Sequence, residues 1–114
     1  MKLFITMIIV LVSFSALAEK LNPSIELKSE ASNLRTTCVD SAKDLMEAST
    51  MTEELEFLKK ASEAESELED IIAGMSAFIV NFDSEENDIR LARIIKGDTI
   101  DHLKECRKFR RIAE

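Results

Sequence analysis

The chain has 114 residues, with 15 Lys and Arg against 22 Asp and Glu and a formal net charge of −7. That balance argues against nucleic acid as a partner, because phosphate binding needs clustered Lys and Arg on a net positive face, and it disfavours anionic membrane surfaces for the same reason. Two Gly, one Pro and no Trp or Tyr leave few turn formers and strand aromatics for a sandwich or barrel, whereas abundant Glu, Lys, Leu, Ala and Met favour an all-α fold.

Residues 1–18 read as an address and not as part of the fold. Met1-Lys2 make a short positive start, Leu3 to Val12 an apolar run interrupted only by Thr6, and Ala16-Leu17-Ala18 a small-x-small cleavage pattern. These are the three parts of a secretory signal peptide, and they predict a mature protein beginning at Glu19. The apolar run is shorter than the roughly 20 residues of a membrane-spanning helix. No Cys follows the cut to take a lipid. The expectation is a signal peptide over 1–18 and a single helical domain over 19–114. Such a protein is exported, periplasmic in a Gram-negative cell and otherwise secreted, with no stable membrane insertion after cleavage.

Asn22-Pro23 predicts a helix start, with Asn as cap and Pro at the first helical position. Leu27, Ala31, Leu34, Cys38, Ala42 and Leu45 then recur at spacings of three and four, one apolar stripe of a helix over about 23–48. Residues 49–52 form a break, and Thr50 with Glu53 has the spacing of a capping box. In the second helix Phe57, Ala61, Ala64, Leu68, Ile71, Met75, Phe78 and Phe82 alternate by four and three without a miss, as helix–helix packing requires. Gly74 within that stripe predicts a close approach or a mild kink. Asp83 and Glu86 suggest a third start, followed by Ile89, Ala92 and Ile95. Gly97-Asp98 predicts an interruption, with Asp98 capping a last segment that ends near Ile112.

The two cysteines decide how the last segments run. In an oxidising compartment Cys38 and Cys106 are expected to pair, which requires Cα atoms within roughly 7 Å. A chain folding back at Gly97 carries Cys106 more than about 30 Å from Cys38, whereas a chain running on brings them level at 1.5 Å per residue. The predicted architecture is therefore a small antiparallel bundle of three arms, the third broken near Gly97 (three to four helices), stapled by one disulfide.

Few residues suggest chemistry. His102 is the only histidine, and nothing in the sequence singles out a nucleophile and an orienting acid to go with it. Met46 and His102 are the one pair to weigh as axial haem ligands, but on the three-arm layout they differ in height by about 15 Å. No cofactor, no metal and no catalytic residue is predicted. Glu56, Glu63, Glu67 and Asp70 form an acidic stripe, and Lys104, Lys108 and Arg111 a basic one. Where level, the two stripes are expected to pair between helices. Glu65, Glu67, Glu69 and Asp70 have fewer bases nearby and are the candidate partner surface, together with Ile79 and Val80 as an apolar patch.

Ile71-Ile72-Ala73-Gly74-Met75 faintly resembles a helix motif of periplasmic immunity proteins paired with type VI secretion amidase effectors. The likeness covers those residues alone, without the further cysteines or the closing aromatic-Pro-Cys pattern, and assigns no family. Size, export and a two-cysteine helical build are also similar to periplasmic acid-stress chaperones, with no motif in common. The expected function is non-catalytic binding of another protein, of inhibitor, immunity or adaptor type. A holdase-type stress chaperone is the alternative, and a haem or metal carrier a third reading.

Overall fold

A computed structural model describes residues 21–81 and 83–113. The signal-peptide pattern and the start at Glu19 lie outside the described residues, as does Phe82. Three helices and no strand are present among the described residues: α1 (Ile25–Glu47), α2 (Met51–Ile79) and α3 (Glu86–Ala113), each packed on the other two.

α1 starts later than Asn22-Pro23 suggests. Ser24 is the cap, extended at φ −156° and ψ 162°, and its hydroxyl accepts the Leu27 N–H at 3.1 Å. A serine at this position satisfies an otherwise orphan donor, so Pro23 falls before the helix and Glu26 enters its positive first turn. α1 ends at Glu47, after which Ala48 turns extended. The start of α2 follows the sequence closely. Thr50 Oγ1 accepts the Glu53 N–H at 3.2 Å, and the Glu53 carboxylate accepts in return from the Ser49 N–H at 3.2 Å.

The third arm is one continuous helix, and the predicted break at Gly97 is absent. Gly97 has no positive φ and nothing within 4 Å of where its Cβ would stand. The Thr99 hydroxyl donates to the Ile95 carbonyl at 2.6 Å across it. Asp98 caps nothing and instead faces Lys28 of α1 at 3.6 Å. The physical reason lies on the opposite face, where Ala92, Ile95, Thr99, Leu103 and Cys106 are all buried. A break would lift half of that stripe off the core, which outweighs the roughly 1 kcal/mol that an interior glycine costs. α3 begins at Glu86, where the Ile89 N–H donates to the Glu85 carbonyl. Asp83 belongs to the connection, its N–H donating to Asn81 Oδ1 at 3.1 Å.

Four contacts in register show that α3 runs parallel to α1, as three antiparallel arms require. Lys28 meets Asp98 at 3.6 Å, Arg35 meets Glu105 at 3.2 Å, Cys38 is bonded to Cys106, and the Lys43 ammonium lies 5.4 Å from the centre of the Phe109 ring. The bonded cysteines have Cα atoms 5.5 Å apart and are fully buried. Between the helices the core combines large and small: Leu27, Leu68, Ile71, Met75, Ile95 and Leu103 fill it, while Ala31, Ala61, Ala64 and Ala92 let the backbones approach. Leu68 and Ile71, at the middle of the heptad seam, are 0% and 3% exposed.

Gly74 serves a close approach. α2 continues through it, and a Cβ there would stand 2.5 Å from Leu21 Cδ1 and 2.9 Å from Leu21 Cβ. Leu21 packs on the core at this point, so the segment ahead of α1 is seated against α2.

Candidate functional site

Beside its buried seam, α2 carries a second heptad stripe. Met51, Leu55, Leu58, Ser62, Glu65 and Glu69 are spaced by fours and threes and share one face of the helix. α3 engages the upper part of this stripe. Arg107 Nε donates to Glu65 Oε1 at 2.9 Å and Arg107 Nη2 to Glu69 Oε1 at 2.7 Å, while Arg110 pairs with the other Glu65 oxygen. The Glu65 side chain is only 16% exposed under the two guanidiniums.

This arrangement corrects the expectation for Glu65 and Glu69. They do have bases nearby, Arg107 and Arg110, and bind α3 to α2, Glu65 lying 16% exposed and Glu69 51% exposed. The sequence spacing hid this because Arg107 and Arg110 lie one residue from Lys108 and Arg111, a rotation of about 100° on the helix. The matched spacings, four between the acids and three between the arginines, were the available signal. Among the described residues the expected pairing of the acidic and basic stripes is also absent. Glu56 pairs with Lys60 at 3.3 Å and Glu63 with Lys59 at 3.9 Å, both within α2. Lys104, Lys108 and Arg111 are exposed, and so is Glu67, while Asp70 is half-buried. Ile79 packs against the core, so only Val80 of the proposed apolar patch is open, at 71%.

The lower part of the second stripe is uncovered. Leu58, Leu55 and Met51 are 37%, 61% and 75% exposed, and Met46 at the end of α1 is 47% exposed. Their one signal in the sequence is a spacing that continues that of Glu65 and Glu69. Residues 44–58 contain five acids and no base. Among the described residues Asp44, Glu47, Glu53 and Glu54 make no ion pair, and Glu56 is held by Lys60.

His102 is half-buried and lines a shallow groove with Ile25, Lys28, Ser29, Ser32 and Asp98. It is level with Ser32, between the Lys28–Asp98 and Arg35–Glu105 contacts. Met46 stands 14 residues further along α1, about 21 Å away along the axis. One haem iron does not span that distance. No three His, Cys, Asp or Glu side chains among the described residues are grouped to hold a metal ion, and both cysteines are committed to the disulfide.

No protein family, curated protein or solved structure matches this chain. Its class rests on its own architecture, which among the described residues is a three-helix bundle with α1 joined to α3 through Cys38 and Cys106. No helix among the described residues is long and apolar enough to cross a membrane.

Proposed function

We propose that this chain is an exported, non-catalytic binding protein, of inhibitor, immunity or adaptor type, that docks another protein through a helical face. The observation that carries this reading is the uncovered lower stripe of α2, standing on a frame braced by the buried disulfide. A face held rigid before contact binds without the ordering cost that a flexible segment incurs. Support for export comes from the three-part pattern of residues 1–18 and from the disulfide, which persists in oxidising compartments. Mass spectrometry of the exported form is expected to show a start at Glu19, and an intact Met1 would count against export.

The deciding experiment is capture from the exported fraction with the disulfide-intact protein as bait. One stoichiometric partner is the expected result, and no partner overturns the reading. Many unfolded clients would favour the holdase alternative, which the same exposed apolar side chains also support.

A further inference from the structure

We propose that the lower stripe of α2, Met51, Leu55 and Leu58 with Glu54 beside them, is the seat of a basic amphipathic helix supplied by a partner protein. The proposal rests on the binding function above and names its surface and the chemistry of its occupant. Two observations carry it.

First, the stripe prolongs the track on which α3 already lies. α3 reaches Glu65 through Arg107 and Arg110, and its described residues extend to Ala113. They reach about 4.5 Å beyond Arg110, while Leu58 lies about 10 Å below Glu65 and Met51 about 21 Å. Exposure rises along this line, from 37% at Leu58 to 61% at Leu55 and 75% at Met51. Among the described residues no helix covers this continuation of the face, and its length suits a helix of two to three turns.

Second, the charge specifies what that helix carries. Residues 44–58 hold five acids and no base. Glu54 lies 11 residues, about three turns, before Glu65 and so presents its carboxylate on the same edge. At Glu65 that edge is met by arginines from a helix whose apolar residues face the core. Repeated three turns lower, the same recognition takes apolar side chains on Met51, Leu55 and Leu58, and an Arg or Lys on Glu54. This is the helix-in-groove mode with charges setting register and choice of partner.

The test titrates isotope-labelled, disulfide-intact protein with a synthetic helical peptide that carries a Leu heptad stripe flanked by Arg, read by NMR. A twin peptide with Glu in place of Arg is the control. Amide shifts confined to 46–62 are expected with the Arg peptide and none with its twin. The double variant Met51→Gln/Leu55→Gln should weaken binding at least tenfold with an unchanged melting temperature, since both side chains are mostly in solvent. Glu54→Gln should weaken it several-fold and flatten its salt dependence. Absence of binding, shifts centred on Val80 or Glu67, or equal binding by the double variant would each overturn the proposal. So would a dimer in sedimentation that the double variant abolishes, because the occupant would then be a second copy. If native partner capture survives the double variant, the binding function stands and this surface falls. Failed capture sinks the function, while the peptide titration still decides the surface.

Discussion

The two halves of α2 carry the same kind of heptad pattern and meet opposite fates. From Ala61 to Met75 the helix is covered by both neighbours, and its second stripe is closed by Glu65 and Glu69 under the arginines of α3. From Met51 to Leu58 the pattern continues with better apolar residues, yet the side chains stand in solvent. Periodicity states which face of a helix is able to be buried. Coverage depends on where the neighbouring helices lie, which no pattern within α2 records.

The sharpest way to break that comparison is to truncate one leucine in each half. Leu68→Ala removes fully buried methyls and leaves a cavity, with an expected loss on the order of 2–5 kcal/mol. Leu55→Ala should change stability by less than about 0.5 kcal/mol, because the side chain is already exposed. Thermal circular dichroism of both variants decides. Equal losses would mean that the lower half is covered after all, and a neutral Leu68→Ala would bring down the bundle itself.

Reducing the Cys38–Cys106 bond comes next. Closing a loop with a sequence separation of 68 limits the unfolded chain, and loop-closure entropy puts the stabilisation at no more than about 4 kcal/mol. Urea unfolding of the Cys38→Ala/Cys106→Ala variant should show a loss of about 2–4 kcal/mol. The folded contacts between α1 and α3, Lys28 with Asp98 and Arg35 with Glu105, should stay in place, because the bond acts mainly on the unfolded chain. An unchanged midpoint would show that the staple adds nothing to helices already held by the core.

Glu65→Gln sharpens the comparison at the point where the stripe passes from covered to bare. It leaves two guanidiniums without their shared carboxylate, so about 1–2 kcal/mol is expected, reduced from the value for buried charged hydrogen bonds because the Arg107 side chain is 45% exposed. Glu54→Gln should cost under about 0.5 kcal/mol by the same measurement. If Glu65→Gln proves equally mild, the arginine pairs are surface ornaments and the acid regains its claim as a partner contact.

The two glycines are expected to differ in the sign of their effects. Gly97→Ala adds a methyl into open space in a helix interior and should stabilise by about 0.4–1 kcal/mol. Gly74→Ala gains a similar helix propensity but drives its Cβ into Leu21, so a net loss of up to about 2 kcal/mol is expected. Pairing Gly74→Ala with Leu21→Gly, which removes both the Cδ1 and the Cβ that the new methyl meets, should recover most of it. Melting temperatures of the three variants settle whether Leu21 is firmly seated.

Much of the fold was legible because local chemistry and tertiary packing agreed. The α2 seam from Phe57 to Phe78, the Thr50–Glu53 start and the buried cysteine on α1 all follow from spacing alone. Gly97 misled because an interior glycine followed by Asp looks like a stop and a cap, and the burial of Ile95 and Thr99 on either side outweighs that local preference. The start of α1 was misplaced by two residues because Asn22 and Ser24 are both good caps, and the hydroxyl of Ser24 is the one that reaches a free N–H. The surface was the least legible part. Assigning Glu65 and Glu69 to solvent required knowing which of two adjacent faces of α3 turns toward α2, and a rotation of one residue reverses the answer.

The sequence by itself determined that this protein is helical, that it has three arms, which faces of the first two helices are buried, and which cysteines meet. Those properties depend on composition and on a period of 3.6, both of which are local. The tertiary structure alone decided that the third arm is unbroken, that Leu21 rests on Gly74, and that Met51, Leu55 and Leu58 of α2 stay exposed. Each of these depends on where one element lies relative to another, a distance and angle in space set by the packing of the three described helices together.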